Sequence, residues 1–229
     1  LSRKKKSYQF PIRSMKYCLD YFDIKLSDIN ILMLDYMDHK RTFKTSNNYR
    51  LLIGDFIRSR LKIDSSKIKF VKSHHYAHAL TAFWPSPFEE AAVLVVDGLG
   101  SQQQTTSIFS FNTKTTNKLL FEQKGNGIGL LYSLITKQLG FGSGEEGKTM
   151  GLAPYGASVD KKFDNCLNLK GTRKGCLVDY SHLVDRSPTA KLKVEIKKPI
   201  KKTDVYKDYY TKIAFDLQNE TEECLTYLA

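Results

Sequence analysis

An apolar run that stops at an Asp-Gly pair constrains this chain more than any other feature. Residues 91–96 read AAVLVV, and Asp97-Gly98-Leu99-Gly100 follows directly. A run without polar residues is typical of a central strand that is buried on both faces. Such a strand delivers Asp97 to its carboxyl end, where glycines permit a tight turn and the close approach of a ligand to the backbone. The sequence therefore predicts a sheet with a candidate site at the end of this strand.

Three interpretations of the Asp97 turn stay open at this point. Bare backbone amides in the turn suit phosphate oxygens, and a carboxylate there can hold a metal ion or a water. An ordinary β-turn that begins with aspartate fits the same letters. The tetrapeptide DGLG alone does not decide among them.

Three of the five histidines lie within five positions upstream of this strand. The segment HHYAH contains His74, His75 and His78, and we predict a helix from residue 74 to about 84. Residues four apart share a helix face, so His74 and His78 can offer two imidazoles to one metal ion; His75 with His78 is a less favourable pair. A third ligand, usually a carboxylate, must come from elsewhere. Exposed or core-edge histidines are the alternative.

A glycine-rich segment, GSGEEGKTMGLAPYG, occupies residues 142–156, and we predict that it is a loop. It is not a Walker A loop, because the spacing to Lys148 is wrong and no strand precedes it. It does place Lys148, Glu145 and Glu146 among glycines. Long glycine-rich loops inside compact domains are usually functional, and a plain connection between helices is the alternative.

The remaining patterns predict an alternation of helices and strands. Helices are predicted over 11–22, 48–63, 127–140 and 204–229, and single strands over 30–37 and 67–73. Strands over 91–98, 105–111 and 118–123 form a predicted meander. Residues 157–203 carry no clear pattern. This order predicts two incomplete α/β lobes that join near residue 86.

Composition limits the class of protein. The chain has 229 residues, of which 41% are hydrophobic and 26% charged, as in globular proteins. No apolar run approaches the roughly 18 residues of a membrane helix, so we expect no membrane partner. The cysteines form no CxxC pair, which disfavours a zinc knuckle and favours a reducing, cytoplasmic compartment; they are Cys18, Cys166, Cys176 and Cys224.

The charge balance raises the question of a polyanionic partner. Lysine and arginine number 36 and the acidic residues 24, which gives a net charge of +12. The densest stretches are Lys4 to Lys6 and Lys191 to Lys202. The second lacks the interleaved exposed aromatic residues of a single-strand nucleic-acid binder. We therefore favour a solvated lysine-rich face over a nucleic-acid partner, and attraction of small phosphorylated substrates is a third interpretation.

The motifs HHYAHA, VVDGLG and GLLYSLITKQLGFGSGEEGKTMGLAPYG, in that order, resemble the O-carbamoyltransferase family of nodulation-factor and antibiotic-tailoring enzymes. The most specific part is GEEGKTMGLAPYG, and similarity extends over nearly the whole chain. The resemblance implies an α/β fold of the two-lobed actin, sugar-kinase and chaperone-ATPase class, with ribonuclease H-like lobes. Residues 1–86 would be the remainder of the first lobe with the HxxxH helix. Residues 87–229 would begin the second lobe with the DGxG turn and the glycine-rich loop.

The resemblance also implies roles for individual residues. His74 and His78 would bind a divalent metal, which is iron in the fold relatives. Asp97 and Lys148 would be catalytic. The nucleotide side would be formed by Asp97, Gly98, Gly100 and Gly151.

The implied reaction transfers a carbamoyl group from carbamoyl-adenylate, made from carbamoyl phosphate and ATP, to a hydroxyl of a sugar or similar metabolite. The metal would act as a Lewis acid. In the family, further metal ligands come from strands before and after these residues, and a C-terminal domain makes the carbamoyl-adenylate. We therefore expect an internal fragment that binds metal poorly and is inactive alone. The alternatives are a sugar-kinase-like ATPase and a truncated binding or scaffold piece.

Overall fold

The chain divides into two units by its internal contacts, Leu1–Ala77 and His78–Ala229. The computed structural model describes residues 12–34, 59–71, 73–159, 167–185, 190–199 and 201–229. The lobe boundary predicted at residue 86 stays a prediction.

The first unit contains one described α-helix of ten residues and a parallel strand pair. Helix α1 spans Ile12–Tyr21, as its apolar spacing predicts. Strand β1 (Leu32–Leu34) pairs in parallel with β2 (Ile68–Phe70), and Lys67 Nζ donates to the carbonyl oxygen of Ile29 at 2.7 Å. Residues 59–61 are helical. The helix predicted over 48–63 lies largely outside the described residues. The same is true of the second half of the strand predicted over 30–37.

A helix and a meander follow, as predicted. Helix α2 spans His74–Phe83. Strands β3 (Glu90–Val96), β4 (Gln104–Asn112) and β5 (Lys118–Lys124) form an antiparallel sheet in the order β3-β4-β5. The prediction that β3 is a central strand buried on both faces is wrong for the described sheet. Its central strand is β4, and burial along β3 is uneven: Val93 and Val95 are buried, whereas Leu94 and Val96 are half-buried.

The segment predicted as a glycine-rich loop is largely helical. Helix α3 (Ile128–Gln138) confirms the helix predicted over 127–140. Helix α4 (Glu146–Leu152) and a 3-10 turn (Ala153–Gly156) then occupy most of residues 142–156. Glycine costs a helix interior about 1 kcal/mol relative to alanine. Burial of Leu152 and a 2.9 Å hydrogen bond between the buried hydroxyls of Thr136 and Thr149 offset that cost.

The stretch 157–203, which carries no clear sequence pattern, contains two small hairpins. Strands β6 (Thr172–Lys174) and β7 (Leu177–Asp179) pair antiparallel, as do β8 (Val184–Asp185) and β9 (Lys191–Leu192). A 3-10 turn (Lys202–Tyr206) precedes helix α5 (Asp208–Leu228), which confirms the last predicted helix.

One core joins these elements of the second unit. Helices α3 and α5 and the two hairpins contribute its fully buried side chains, among them Leu131, Ile135, Tyr180, Ile213 and Leu217. The described elements are those of a mixed α/β protein, as predicted, and the two-lobed actin-like architecture stays a prediction. Within the described part of the chain, no helix is long and apolar enough to cross a membrane.

Helix α5 packs closely on the 3-10 turn Ala153–Gly156. We therefore expect Gly156→Ala to destabilise the protein. An added Cβ would overlap the carbonyl oxygen of Thr211 and lie 2.7 Å from Cβ of Phe215. We expect a loss of about 1–3 kcal/mol of unfolding free energy, since the helix must move away. Gly147→Ala is the matched control, because its Cβ meets nothing within 4 Å. Urea denaturation of the two variants measures the difference, and equal stability would contradict this packing.

Candidate metal centre

Helix α2 carries two histidines on one side of its first turns. Ser73 precedes the helix, and its Oγ accepts a hydrogen bond from the backbone N–H of Tyr76 at 3.1 Å, which satisfies one of the unpaired donors at the helix start. The helix begins at His74, so His78 lies one turn further on the same face. The sequence prediction of a helical HxxxH pair is confirmed. His75 points elsewhere and is fully buried.

Strand β3 ends at Val96, and the turn that begins with Asp97 is held by backbone hydrogen bonds. The Asp97 N–H donates to the carbonyl oxygen of Thr105 at 3.0 Å, and the Gly100 N–H donates to that of Gln104 at 2.7 Å. The Gly98 N–H donates to Asp97 Oδ1 at 2.6 Å. The carboxylate of Asp97 is therefore oriented by the peptide that follows it.

Two amides of this turn are not bare, which differs from one of the three interpretations left open by the sequence. The N–H groups of both Gly98 and Gly100 are engaged within the protein, so a phosphate would have to replace these hydrogen bonds. Gly98 also has no left-handed backbone conformation; Gln103, with φ of +68°, is the residue of the turn that does. A nucleotide-binding role for Gly98 and Gly100 stays a prediction.

His74, His78 and Asp97 form one cluster. A ligand atom from each of the three side chains lies within 4.8 Å of the other two. His78 is exposed, whereas His74 and Asp97 are half-buried. A cavity of about 250 Å³ opens beside the cluster, lined by His78, Ala82, Leu94, Val95, Val96 and Asp97. The cluster is therefore reachable from solvent and has room next to it for a small group.

The donor set of this cluster fits a divalent transition metal. Two imidazoles and one carboxylate are the ligands that Fe²⁺ takes in non-haem sites with open positions, and Zn²⁺ accepts the same donors. From the sequence, Asp97 is expected to serve the nucleotide and catalysis, and the further metal ligands are expected outside the chain. The sequence already allowed an aspartate there to hold a metal. Only the packing of the β3 end beside α2 brings that carboxylate to the histidines.

Lys148 and Gly151, the other predicted site residues, lie on α4. Lys148 Nζ forms an ion pair with Glu145 Oε1 at 2.6 Å, and Glu145 Oε2 accepts from the Gly142 N–H at 2.6 Å. Gly151 is exposed, and a Cβ added there would meet nothing within 4 Å. The catalytic role of Lys148 and the nucleotide role of Gly151 stay predictions.

A second polar cluster was not expected from the sequence. Tyr132 on α3 donates to Gln218 Oε1 at 3.0 Å, and burial together with the charge of Glu146 raises the pKa of Tyr132 to about 12. The next residue of α3, Ser133, donates a hydrogen bond from its Oγ to Glu146 Oε1 at 2.7 Å. Glu146 is thus tied to α3, whereas the sequence predicts that it lies in a glycine-rich loop.

Comparison with known proteins supplies the context for this geometry. Residues 46–223 match the family described as carbamoyltransferase N-terminus. The nodulation protein NolNO of Sinorhizobium fredii is 33% identical over 170 residues, which cover 68% of this chain and 25% of the relative. An uncharacterised protein of Synechocystis is 32% identical over 200 residues, covering 74% and 32%. The nodulation protein NolO of Bradyrhizobium diazoefficiens is 37% identical over 84 residues, covering 37% and 15%.

The matched part of each relative is much shorter than the relative itself. The proteins of Sinorhizobium fredii and Synechocystis are covered over 25% and 32% of their lengths. The chain thus spans between a quarter and a third of these proteins.

Proposed function

Because the chain belongs to the carbamoyltransferase family, as a part of its N-terminal region, we propose that it forms the metal-holding part of an O-carbamoyltransferase. The single observation that carries the proposal is the convergence of His74, His78 and Asp97. The family match independently supports a transferase. The carbamoyl donor would be carbamoyl-adenylate, made from carbamoyl phosphate and ATP, and the acceptor a hydroxyl of a sugar or similar metabolite.

In this proposal His74, His78 and Asp97 hold a divalent metal, for which iron is the first candidate by resemblance. When bound, the metal supplies Lewis acidity that polarises a carbonyl or activates a hydroxyl. The three side chains would leave part of the coordination sphere of such a metal open, since a transition metal takes four to six ligands. The exposed side of the cluster at His78 and the adjacent cavity provide the room for a substrate oxygen.

The surrounding residues keep this cluster in place. The Gly98 N–H donates to Asp97 Oδ1 and thereby orients the carboxylate. Leu94 and Val96 border the cavity beside Asp97. These residues therefore orient the carboxylate and form the wall beside it, and neither task requires them to react.

The test is a product assay with the full-length protein loaded with Fe²⁺ under anaerobic conditions. We expect carbamoyl phosphate, ATP and a panel of sugars to give AMP and an acceptor that gains one carbamoyl group, both read by mass spectrometry. Omission of carbamoyl phosphate is the control. ADP and a phosphorylated sugar, formed without carbamoyl phosphate, would instead establish a sugar kinase. Formation of neither product across the panel would count against both reactions.

A further inference from the structure

Helix α3 lies with its first turn directly against the peptide between Asp97 and Gly98. A Cβ added to Gly129, the second residue of the helix, would overlap the Asp97 carbonyl oxygen. It would also lie 2.6 Å from the Asp97 carbonyl carbon and 2.8 Å from the Gly98 nitrogen. Such distances are not compatible with any side chain, and both partners are backbone. The helix and the turn therefore contact each other backbone to backbone, and only glycine fits.

A second contact fixes the beginning of the same helix. A Cβ on Gly127 would lie 2.5 Å from Cβ of Thr105, and Thr105 Oγ1 donates to the carbonyl oxygen of Gly125 at 3.0 Å. The carbonyl oxygen of Thr105 accepts the hydrogen bond from the Asp97 N–H. The start of α3 and the end of β3 are thus held by the same residue of β4.

One helical turn after Gly129, Ser133 continues this contact. A Cβ placed on Gly98 would lie 3.7 Å from Ser133 Oγ, so the hydroxyl and the Gly98 backbone are neighbours. The Ser133 hydroxyl donates to Glu146 Oε1 at 2.7 Å. Glu146 is the first residue of α4. The Asp97 turn is therefore linked through one face of α3 to the start of the helix in the glycine-rich segment.

We infer that Gly129 and Ser133 are positioning residues that set the orientation of the Asp97 carboxylate for metal binding. The inference rests on the proposed metal site. Asp97 Oδ1 accepts from the Gly98 N–H, so a rotation of the Gly98 peptide turns the carboxylate with it. Gly129 and Ser133 are the α3 residues against which that peptide lies. Neither residue belongs to the histidine and aspartate cluster, so both act through Asp97.

Metal titration of the full-length protein tests Gly129. We expect Gly129→Ala to weaken Co²⁺ binding by roughly tenfold or more, the loss typical when support around a metal ligand is removed. The Co²⁺ visible spectrum should change as well, because it reports the ligand geometry. Gly147→Ala is the matched control: Gly147 is the second residue of α4, and its Cβ would meet nothing within 4 Å. We expect this control to bind Co²⁺ as the unaltered protein does.

Ser133 provides a milder test in case Gly129→Ala does not fold. Ser133→Ala should weaken Co²⁺ binding several-fold, and Ser133→Thr, which keeps the hydroxyl, should restore it. Equal Co²⁺ affinity and spectrum in the unaltered protein, Gly129→Ala and Ser133→Ala would overturn the inference while leaving the metal site intact. If the unaltered protein binds no Co²⁺ at all, the metal site and the inference fail together. Weaker binding in Ser133→Ala that Ser133→Thr does not restore would also contradict the role of the hydroxyl.

Discussion

Replacing Asp97 by alanine in the full-length protein is expected to abolish stoichiometric metal binding and, with it, carbamoyl transfer. Asp97 is the only carboxylate that the described residues bring to His74 and His78 within 4.8 Å. Removal of a group that merely orients a ligand weakens metal affinity by about 10–100-fold. Removal of a ligand itself should therefore exceed about a hundredfold. Elemental analysis after dialysis measures the bound metal, and the product assay measures transfer.

The histidines give the companion variants. His74→Ala and His78→Ala should each lose bound metal to a similar extent, because each removes one of the two neutral nitrogen donors. His182→Ala is the matched control, since His182 is an exposed histidine on the loop before β8. Full metal content in any of the three cluster variants would remove that residue from the site. Metal loss in His182→Ala would mean that general destabilisation explains the results.

The local elements of this site could be predicted because short-range patterns encode them. The HxxxH spacing predicts one helix face, and the apolar run followed by TTSIFSF and KLLFEQ predicts a meander. The structure has α2 over His74–Phe83 and the sheet β3-β4-β5. Periodicity indicates which side of an element is apolar. In both cases this information is sufficient to predict the type of element and its approximate place in the chain.

The assembly of the site could not be predicted, because it depends on packing between distant elements. Nothing in DGLG indicates that its carboxylate lies beside His74 and His78. Nor does the sequence reveal that the Gly98 N–H is used by Asp97 itself. The sequence also gives no sign that Gly127 and Gly129 serve the close contact of α3 with Thr105 and the Asp97 peptide.

The prediction of a loop over the glycine-rich segment 142–156 is wrong for a related reason. Gly147 and Gly151 lower helix propensity, which favours a loop when only local preferences are considered. The structure forms α4 because Thr149 and Leu152 are buried and Glu146 is bound by Ser133. Tertiary contacts of this kind override propensity and have no signature in the segment itself.

A buried ionic network in the second unit was equally invisible in the sequence, where Glu220 looks like an ordinary polar position on an amphipathic helix. Glu220 is 4% exposed. Its Oε1 accepts from the Gly171 N–H at 3.0 Å, from Arg173 Nη2 at 3.0 Å and from the Tyr180 hydroxyl at 2.8 Å. Arg173 lies 47 residues away in the chain. One carboxylate thus ties the β6–β7 hairpin to helix α5.

The protonation states suit this network. Burial, the neighbouring Cys224 and the hydrogen bond to Glu220 raise the pKa of Tyr180 far above its ordinary value. The tyrosine hydroxyl therefore stays a donor across the physiological pH range. Burial also raises the pKa of the Cys224 thiol, so a second anion does not form beside Glu220.

Glu220→Ala is accordingly expected to destabilise the second unit by about 3 kcal/mol. Breaking a buried ion pair by removing one partner costs about 3–5 kcal/mol, and the lower end applies because the Arg173 side chain is 22% exposed and keeps Glu223 at 3.6 Å. The variant leaves the buried Tyr180 hydroxyl and the Gly171 N–H without their acceptor, which adds to the cost. Urea unfolding at neutral pH measures the change.

Glu222→Ala on the same helix is the control that separates this network from the general effect of losing a glutamate. Glu222 is exposed, and its side chain accepts a hydrogen bond from Gln218 at 2.9 Å within α5, so its loss should stay within about 0.5 kcal/mol. Glu220→Gln should fall between the two, because the amide oxygen still accepts from Tyr180 but carries no charge for Arg173. Equal stability of Glu220→Ala and Glu222→Ala would mean that the carboxylate does not hold the hairpin to α5. Apolar packing, to which Tyr180 and Leu217 contribute, would then be the sole source of that contact.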